Sequence, residues 1–355
     1  MKRVFLSLLS CALVAGFVSC NKEMEGCPSQ LLGEKSANVY FQVGLETKAG
    51  SEPSDGNLGL VQVILFDASS GTFEASGSLN FNDSSTGAVE LTGVRLDRPY
   101  VCRVVANVLD GSGNDVLFTS ASSASEIDDY VVSLPAFAQN RIPMWGTTES
   151  ATVTFTSTNK TANVKLTRAA SRIKVAKVTA DFPDHIKSKT AAVTAMYVYK
   201  APGKYTLGLS APASNTYYHQ TAYSVSDVSA LGTFAPYVGE LISSGNVITN
   251  NGSYDSSRWF VVCPHASFSP SVATDATFLT IEVTIDGTPY YYGVSLTDVA
   301  SNPDGLKPNY QYILSNVKLT DYGNVVPPGI IDKDAISVNI SVEEWHDGFN
   351  KEVTF

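Results

Sequence analysis

The segment TFLTIEVTIDGTPYYYGVSL, residues 277–296, decides the fold class because it has the pattern of a β-hairpin. Two alternating runs, rich in β-branched and aromatic residues, flank the dipeptide Asp286-Gly287. This dipeptide favours positive φ angles at both positions, as a tight turn between antiparallel strands requires. The segment therefore predicts two antiparallel strands joined by a two-residue turn.

Short strand patterns separated by turn clusters continue through most of the chain. The clearest occupy residues 58–67, 100–110, 151–157, 162–168 and 309–323. The 17 tyrosines and 16 phenylalanines suit the pleated, half-buried surface of a sheet. Helical periodicity is scarce, and residues 121–134 are the one candidate helix. The sequence therefore predicts an all-β protein, with two β-sandwich domains in tandem.

The size of the chain fits this organisation. Its 355 residues are enough for two domains, each with its own core. We place the boundary near residue 158, in a polar turn, which gives an N-terminal domain over 49–158 and a C-terminal domain over 159–355. The hydrophobic content of 44% indicates a folded protein, and the net charge of −10 argues against nucleic acid as a partner.

The first 19 residues have the pattern of a targeting segment. Lys2 and Arg3 precede an apolar run over 4–18, which is shorter than a membrane-spanning helix requires. The run ends at Ser19-Cys20, which resembles a lipoprotein signal in which Cys20 is acylated. The alternative is an ordinary secretory signal peptide cut near Ser19. In either case the mature chain is expected to be lipid-anchored or released.

The sequence offers no candidate catalytic or metal site. Cys102 and Cys263 lie in strand-like runs far apart, and we interpret both as small buried hydrophobic residues. Residues 110–115 depart from a calcium loop because Asp115 stands where that loop requires Gly. The histidines do not have the spacing of paired metal ligands. We therefore expect no enzyme activity, no metal and no cofactor.

Two segments near the ends of the chain have the same pattern of four alternating apolar residues. They comprise Val39, Phe41, Val43 and Leu45 near the start, and Ile336, Val338, Ile340 and Val342, followed by Trp345, near the end. A sandwich that lost its first strand would expose an apolar groove and a sheet edge, which a strand from another chain could fill. Burying four such side chains is worth roughly 6–12 kcal/mol.

Several segments together give the chain a resemblance to the fimbrillins, the pilin class of type V pili. Besides the lipoprotein start and the strand VQVILFD after the early basic site, they are NRIPMWGT (140–147), VKLTRAASRIKV (164–175), WFVVCPH (259–265), LKPNYQYILSNVKL (306–319) and VEEW (342–345). The resemblance implies two transthyretin-like β-sandwich domains. It also implies a lipidated precursor that reaches the outer membrane and then becomes part of a cell-surface fimbrium.

The resemblance further implies how such a subunit matures. A trypsin-like protease removes the N-terminal strand, and the C-terminal strands of another subunit take its place. Carried over to this chain, residues 20–48 are the propeptide, Lys48–Ala49 is the cut, and residues about 334–355 are the donor segment. The processing residue of the family is commonly Arg, whereas this chain offers Lys48. The alternatives are that Lys48 is a solvated loop residue and that the C-terminal strand simply completes its own domain.

The function expected from this resemblance is that of a structural pilus subunit that supports adhesion. Its expected partners are other copies of itself, accessory pilus subunits and the processing protease. The alternative is a tip or anchor subunit of the same pili, or a surface lipoprotein that binds a host ligand or glycan.

Overall fold

A computed structural model describes residues 35–45, 57–134, 141–210, 212, 214–231, 238–243, 246–265, 277–296, 306–328 and 335–344. The strands in these ranges are β1 (Ser36–Leu45), β2 (Leu58–Asp67), β3 (Phe73–Ser84), β4 (Thr86–Arg95), β5 (Pro99–Ala106), β6 (Val131–Ser133), β7 (Met144–Thr148), β8 (Val153–Thr154), β9 (Thr161–Arg168), β10 (Ser171–Ala180), β11 (Ala191–Tyr199), β12 (Ala201–Pro202), β13 (Lys204–Thr206), β14 (Tyr217–Tyr218), β15 (Gly239–Leu241), β16 (Val247–Ile248), β17 (Ser253–Val262), β18 (Phe278–Ile285), β19 (Thr288–Val294), β20 (Tyr310–Leu319) and β21 (Ile336–Glu344). The helices are α1 (Ala124–Asp128) and α2 (Val225–Leu231). The predicted all-β class is confirmed.

The hairpin predicted around residue 286 is present as β18 and β19. The two strands pair antiparallel, from Leu279 opposite Val294 to Ile285 opposite Thr288. The turn residues have φ angles of 47° at Asp286 and 82° at Gly287. Both lie in the left-handed region, which a two-residue turn requires and which Asp and Gly tolerate better than most residues.

The first sheet takes its strands from residues 36–168. Its order is β3-β2-β5-β7-β9-β1-β4, with β8 paired to β5. The pattern at 162–168, which follows the predicted domain boundary, forms β9 and pairs with β7 and β1 of this sheet. The division into two domains stays a prediction.

The residues after 168 form two further sheets, one of four strands and one of five. One has the order β17-β10-β20-β21, and the other has the order β15-β11-β18-β19 with β16 also paired to β11. Two short pairs, β12 with β14 and β13 with β6, complete the described sheets. The β6–β13 pair joins the segment after α1 to the second part of the chain.

Two hydrophobic clusters hold most of the buried side chains. The smaller, which we call the N-terminal core, contains apolar residues of β1, β2, β4, β5 and β9. The larger contains residues of β10, β11, β18 and β20, so these two sheets share one core. β2 contributes to both clusters, because Val63 and Leu65 belong to the N-terminal core, whereas Ile64 and Phe66 belong to the larger one.

Helices occupy little of the described chain. The candidate helix at 121–134 is present only as α1, and Val131–Ser133 of the same segment forms β6. Ser123 caps α1 by accepting the backbone N–H of Glu126. In the described ranges, no helix reaches the length and apolar character needed to cross a membrane.

Candidate functional site

β1 lies inside the first sheet with a hydrogen-bonded neighbour on each side. It pairs antiparallel with β4 along most of its length, and parallel with β9 from Tyr40 to Leu45. At its centre, Phe41 lies opposite Val89 of β4 and Ala162 of β9. Loss of β1 would therefore leave a gap between two strands that each need a partner. We call this gap the groove.

The apolar face of β1 is buried in the N-terminal core. The four predicted side chains have exposed fractions of 2% or less: Val39, Phe41, Val43 and Leu45. The Phe41 ring meets the Phe155 ring edge-on, with the centroids 5.6 Å apart. Phe155 lies in turn 6.4 Å from the ring of Tyr100, where burial raises the pKa of the phenol to about 12. Thus β1 fills one side of a dry aromatic core.

The opposite face of β1 carries polar contacts near the surface. Asn38 Nδ2 donates to Glu90 Oε1 at 2.7 Å, and the Tyr40 hydroxyl donates to the same oxygen at 3.2 Å. The bond to the Glu90 carboxylate raises the pKa of Tyr40. The backbone N–H of Tyr40 donates to the carbonyl of Lys160 at 2.8 Å. The two side-chain bonds are solvent-exposed and contribute little compared with the buried face.

The start of β2 is fixed independently of β1 by one buried side chain. Asn107 Oδ1 accepts the backbone N–H of Gly59 at 2.8 Å, and Asn107 Nδ2 donates to the carbonyls of Asn57 and Ile142 at 2.9 and 3.1 Å. Asn107 is 1% exposed and has a φ angle of 58°, which Asn tolerates better than most residues. The chain that follows the 46–56 segment is therefore held by a contact that does not involve β1.

β21 lies at the edge of its sheet, at least among the described residues. It pairs antiparallel with β20, from Ile336 opposite Leu319 to Glu344 opposite Tyr310. Ile336 is 6% exposed, whereas Val338 and Ile340 are only partly buried against the larger core. The C-terminal strand is thus folded onto its own chain, as the alternative interpretation of this segment expects.

β1 and β21 share a sequence pattern but differ in their surroundings. β1 has two strand neighbours and a fully buried apolar face. β21 has one neighbour, β20, in the described part of its sheet. Detaching β21 would therefore break one ladder and expose Ile336 together with Val338 and Ile340, which are already partly solvated. Detaching β1 would break two ladders and open the N-terminal core.

Some of the predicted site residues lie outside the described residues. These are the lipidation residue Cys20, the cleavage residues Lys48 and Ala49, and Trp345. Val342 belongs to β21 and lies opposite Tyr312 of β20.

The cysteines and histidines of the described ranges have structural environments. Cys102 and Cys263 are free and fully buried, and burial raises the pKa of both thiols well above the ordinary value. Their interpretation as small buried hydrophobic residues is confirmed. Within the described ranges, no three His, Cys, Asp or Glu side chains come together as a metal site.

His219 is a buried histidine whose pKa lies well below the ordinary value. Its side chain is completely buried, and burial lowers its pKa to about 4. Nδ1 accepts the backbone N–H of Ser224 at 3.0 Å, and the ring stacks on Tyr223 with the centroids 5.2 Å apart. A neutral imidazole that accepts at Nδ1 stabilises the segment leading into α2. We assign it no catalytic role.

Sequence reasoning identified β1 but missed the residues that surround it. Phe155 lies in a segment that forms only the short strand β8, and Asn107 occurs within a predicted strand. The flanking strands did carry a signal, because Val89 and Leu91 on β4 alternate with polar residues, as do the apolar residues of β9. Nothing in that alternation says which strand pairs with β1.

The sequence matches no family model and no curated protein. Solved structures, however, share the fold over most of the chain. A candidate cell adhesion protein from Parabacteroides distasonis is 15% identical with a TM-score of 0.61, over 89% of this chain and 99% of that chain. Another from Bacteroides eggerthii is 17% identical with a TM-score of 0.59, over 88% and 97%.

A fimbrilin from Porphyromonas gingivalis also has this fold. It is 14% identical with a TM-score of 0.59, over 88% of this chain and 98% of that chain. The resemblance to the fimbrillins is thus confirmed at the level of the fold. These three neighbours are a fimbrilin and two candidate cell adhesion proteins.

Proposed function

We propose that this chain is a structural subunit of a cell-surface pilus, that it polymerises by donor-strand exchange, and that it supports adhesion. The observation that carries the proposal is the position of β1, the first strand of the described residues, which is buried and has a hydrogen-bonded neighbour on each side. Its covalent connection to β2 runs through residues 46–57. A cut in that segment would leave β1 held by hydrogen bonds and packing alone.

The groove gives a strong reason for replacing β1 once it is lost. Four side chains buried at about 1.5–3 kcal/mol each amount to roughly 6–12 kcal/mol of apolar burial. The backbone groups that β4 and β9 now share with β1 would also lose their partners, and buried unpaired groups are costly. An empty groove is therefore a site for another strand.

The replacement is β21 of a second copy. It offers four alternating apolar residues, and because it is an edge strand among the described residues, it leaves its sheet there by breaking one ladder, that with β20. In the groove it gains two ladders and a closed apolar environment. The exchange trades a one-sided contact for a two-sided one, which favours the polymer.

The remaining steps follow the resemblance to the fimbrillins. We propose that Cys20 is acylated, that the precursor sits in the outer membrane, and that a trypsin-like protease cuts between Lys48 and Ala49. We propose further that the fold comprises two tandem transthyretin-like β-sandwich domains. Support comes from the basic residue in the 46–56 segment, the buried strand before it, and the fold shared with a fimbrilin.

The test is polymerisation before and after cleavage. Full-length protein is treated with trypsin, its new N-terminus is sequenced, and unheated samples are run on detergent gels. We expect an N-terminus at Ala49 and a ladder of oligomers that collapses to monomer on boiling. Lys48→Gln is the matched control, because it keeps β1 and should keep the protein monomeric under the same treatment.

A second variant separates strand exchange from other association. Deletion of residues 334–355 should leave cleavage unchanged and abolish the ladder. Cleaved wild-type protein that stays monomeric at high concentration would contradict the proposal. So would a ladder that persists without the C-terminal segment.

A further inference from the structure

The side chains on the buried face of β1 alternate in size. From Val39 to Leu45 the order is small, large, small, large, given by Val39, Phe41, Val43 and Leu45. All four are closed off from solvent. Each position of the groove therefore has its own size, and a strand that replaces β1 must match that sequence of sizes.

Two positions show how the sizes are set. At Phe41 the groove is deep enough for a whole ring, which lies edge-on to Phe155. At Val43 the facing residue of β4 is Gly87. A Cβ atom at Gly87 would lie 2.6 Å from the ring of Phe81, so Phe81 already fills the space beside Val43. A larger side chain than Val at that position would overpack the core.

β21 has the same alternation in the opposite order. From its start it reads large, small, large, small, given by Ile336, Val338, Ile340 and Val342. If it entered in the direction of β1 with all four apolar residues in the groove, Ile would fall at both small positions and Val at both large ones. Two positions would then be overpacked and two would contain cavities. If it entered in the reverse direction, Val would occupy the small positions and Ile the large ones, so only the position of Phe41, where Ile replaces a ring, would be underfilled.

The backbone does not favour either direction. β1 makes one antiparallel ladder with β4 and one parallel ladder with β9. A reversed strand would make a parallel ladder with β4 and an antiparallel one with β9. Each orientation has one ladder of each kind, so the small difference in their strengths cancels. The choice is left to the side chains.

We propose that the strand that replaces β1 runs in the opposite direction to β1. This inference rests on the proposed function and specifies its geometry: Val342 takes the place of Val39, Ile340 that of Phe41, Val338 that of Val43, and Ile336 that of Leu45. The replacement strand is then antiparallel to β9 and parallel to β4.

One electrostatic contact opposes this orientation. Glu343 would fall at the position of Asn38, which now donates to Glu90. Both positions lie on the exposed face, where repulsion between like charges is weak and screened by salt. Four buried size mismatches in the direction of β1, against one in the reverse direction, outweigh one exposed pair. The same contact predicts that exchange is promoted by moderate salt and by Glu343→Gln.

Cysteine crosslinking distinguishes the two directions. The position of Tyr40, which faces both Thr161 of β9 and Glu90 of β4, is taken by Ser341 in the reversed orientation and by Ser337 in the direction of β1. One full-length double variant carries Thr161→Cys and Ser341→Cys. The matched variant carries Glu90→Cys and Ser337→Cys, and each pair is an antiparallel contact in its own orientation.

Both variants are cleaved with trypsin, allowed to polymerise, mildly oxidised, and boiled without reductant. We expect the Thr161/Ser341 variant to form a series of covalent oligomers that resists boiling, and the Glu90/Ser337 variant to form none. Three results would overturn the proposed direction. They are covalent oligomers from the Glu90/Ser337 variant, equal amounts of covalent oligomers from both variants, or no covalent oligomers from either although the unboiled samples still contain oligomers. Cleaved wild-type protein without any unboiled ladder would instead refute the proposed function, and the direction with it.

Discussion

Truncation of Phe41 tests whether β1 is held by its buried face. Phe41 is fully buried against Phe155, and replacing such a ring by Ala costs about 3–5 kcal/mol through lost burial and a residual cavity. At 1.4 kcal/mol per factor of ten, Phe41→Ala should raise the opening equilibrium of β1 about a thousandfold. The effect should appear in the uncut protein, since it depends only on packing in the N-terminal core.

Hydrogen exchange followed by mass spectrometry measures this opening strand by strand. Amides of β1, and those of β4 and β9 that bond to it, should exchange about a thousandfold faster in Phe41→Ala. The matched control is Tyr40→Ala on the neighbouring position, which is 40% exposed and loses only the surface bond to Glu90. We expect less than about a tenfold change there.

Two results would refute this reasoning. If Phe41→Ala and Tyr40→Ala accelerate exchange equally, the buried face does not hold the strand. If β1 opens without any change in β9, the two strands are not joined as the register indicates. After cleavage, Phe41→Ala should also release the N-terminal fragment faster than Tyr40→Ala does, which size-exclusion chromatography can detect.

Three further changes test other parts of the fold. Because the pKa of folded His219 is about 4, below its ordinary value of 6.5, the unfolded chain binds the extra proton between these values. The free energy of unfolding should therefore fall by about 3 kcal/mol from pH 6.5 to pH 4 through this group. In urea titrations at several pH values, His219→Asn should remove this part of the dependence of the unfolding free energy on pH. An unchanged pH dependence would contradict the argument. Gly239→Ala places a Cβ 2.9 Å from His219 Nε2 and should lower the melting temperature. The control Gly111→Ala has open space around it and should not. Equal shifts of the melting temperature would refute the packing argument. Asn107→Ala leaves the backbone N–H of Gly59 unpaired and should cost at least about 2 kcal/mol, measured as a lower urea midpoint, and an unchanged midpoint would show that the anchor is not needed.

Much of the strand content could be predicted from local patterns, because alternation and turn residues act over a few positions. The pattern at 58–67 became β2 with the same bounds, and Asp286-Gly287 formed the expected turn. Local signals also identified the buried face of β1, since the side chains of Val39 and Phe41 had to point the same way.

Pairing between distant strands could not be predicted in the same way. β9 had the alternation of any half-buried strand, and only its packing beside β1 and β7 placed it in the first sheet. The role of Asn107 was also hidden, because it depends on chain segments about 35 and 50 residues away. Five residues of helix α1 are too few for a clear helical period, so the longer candidate at 121–134 was interpreted too broadly.

The parallel pairing of β1 with β9 has a consequence for how the protein acquires its structure. The first described strand to leave the ribosome finds one of its two neighbours about 120 positions later in the chain. Closing so long a loop is entropically slow, and folds rich in such contacts form late and gradually. The earliest-made of the described strands therefore cannot complete its pairing until β9 has been made, and until then part of its apolar side is open to aggregation.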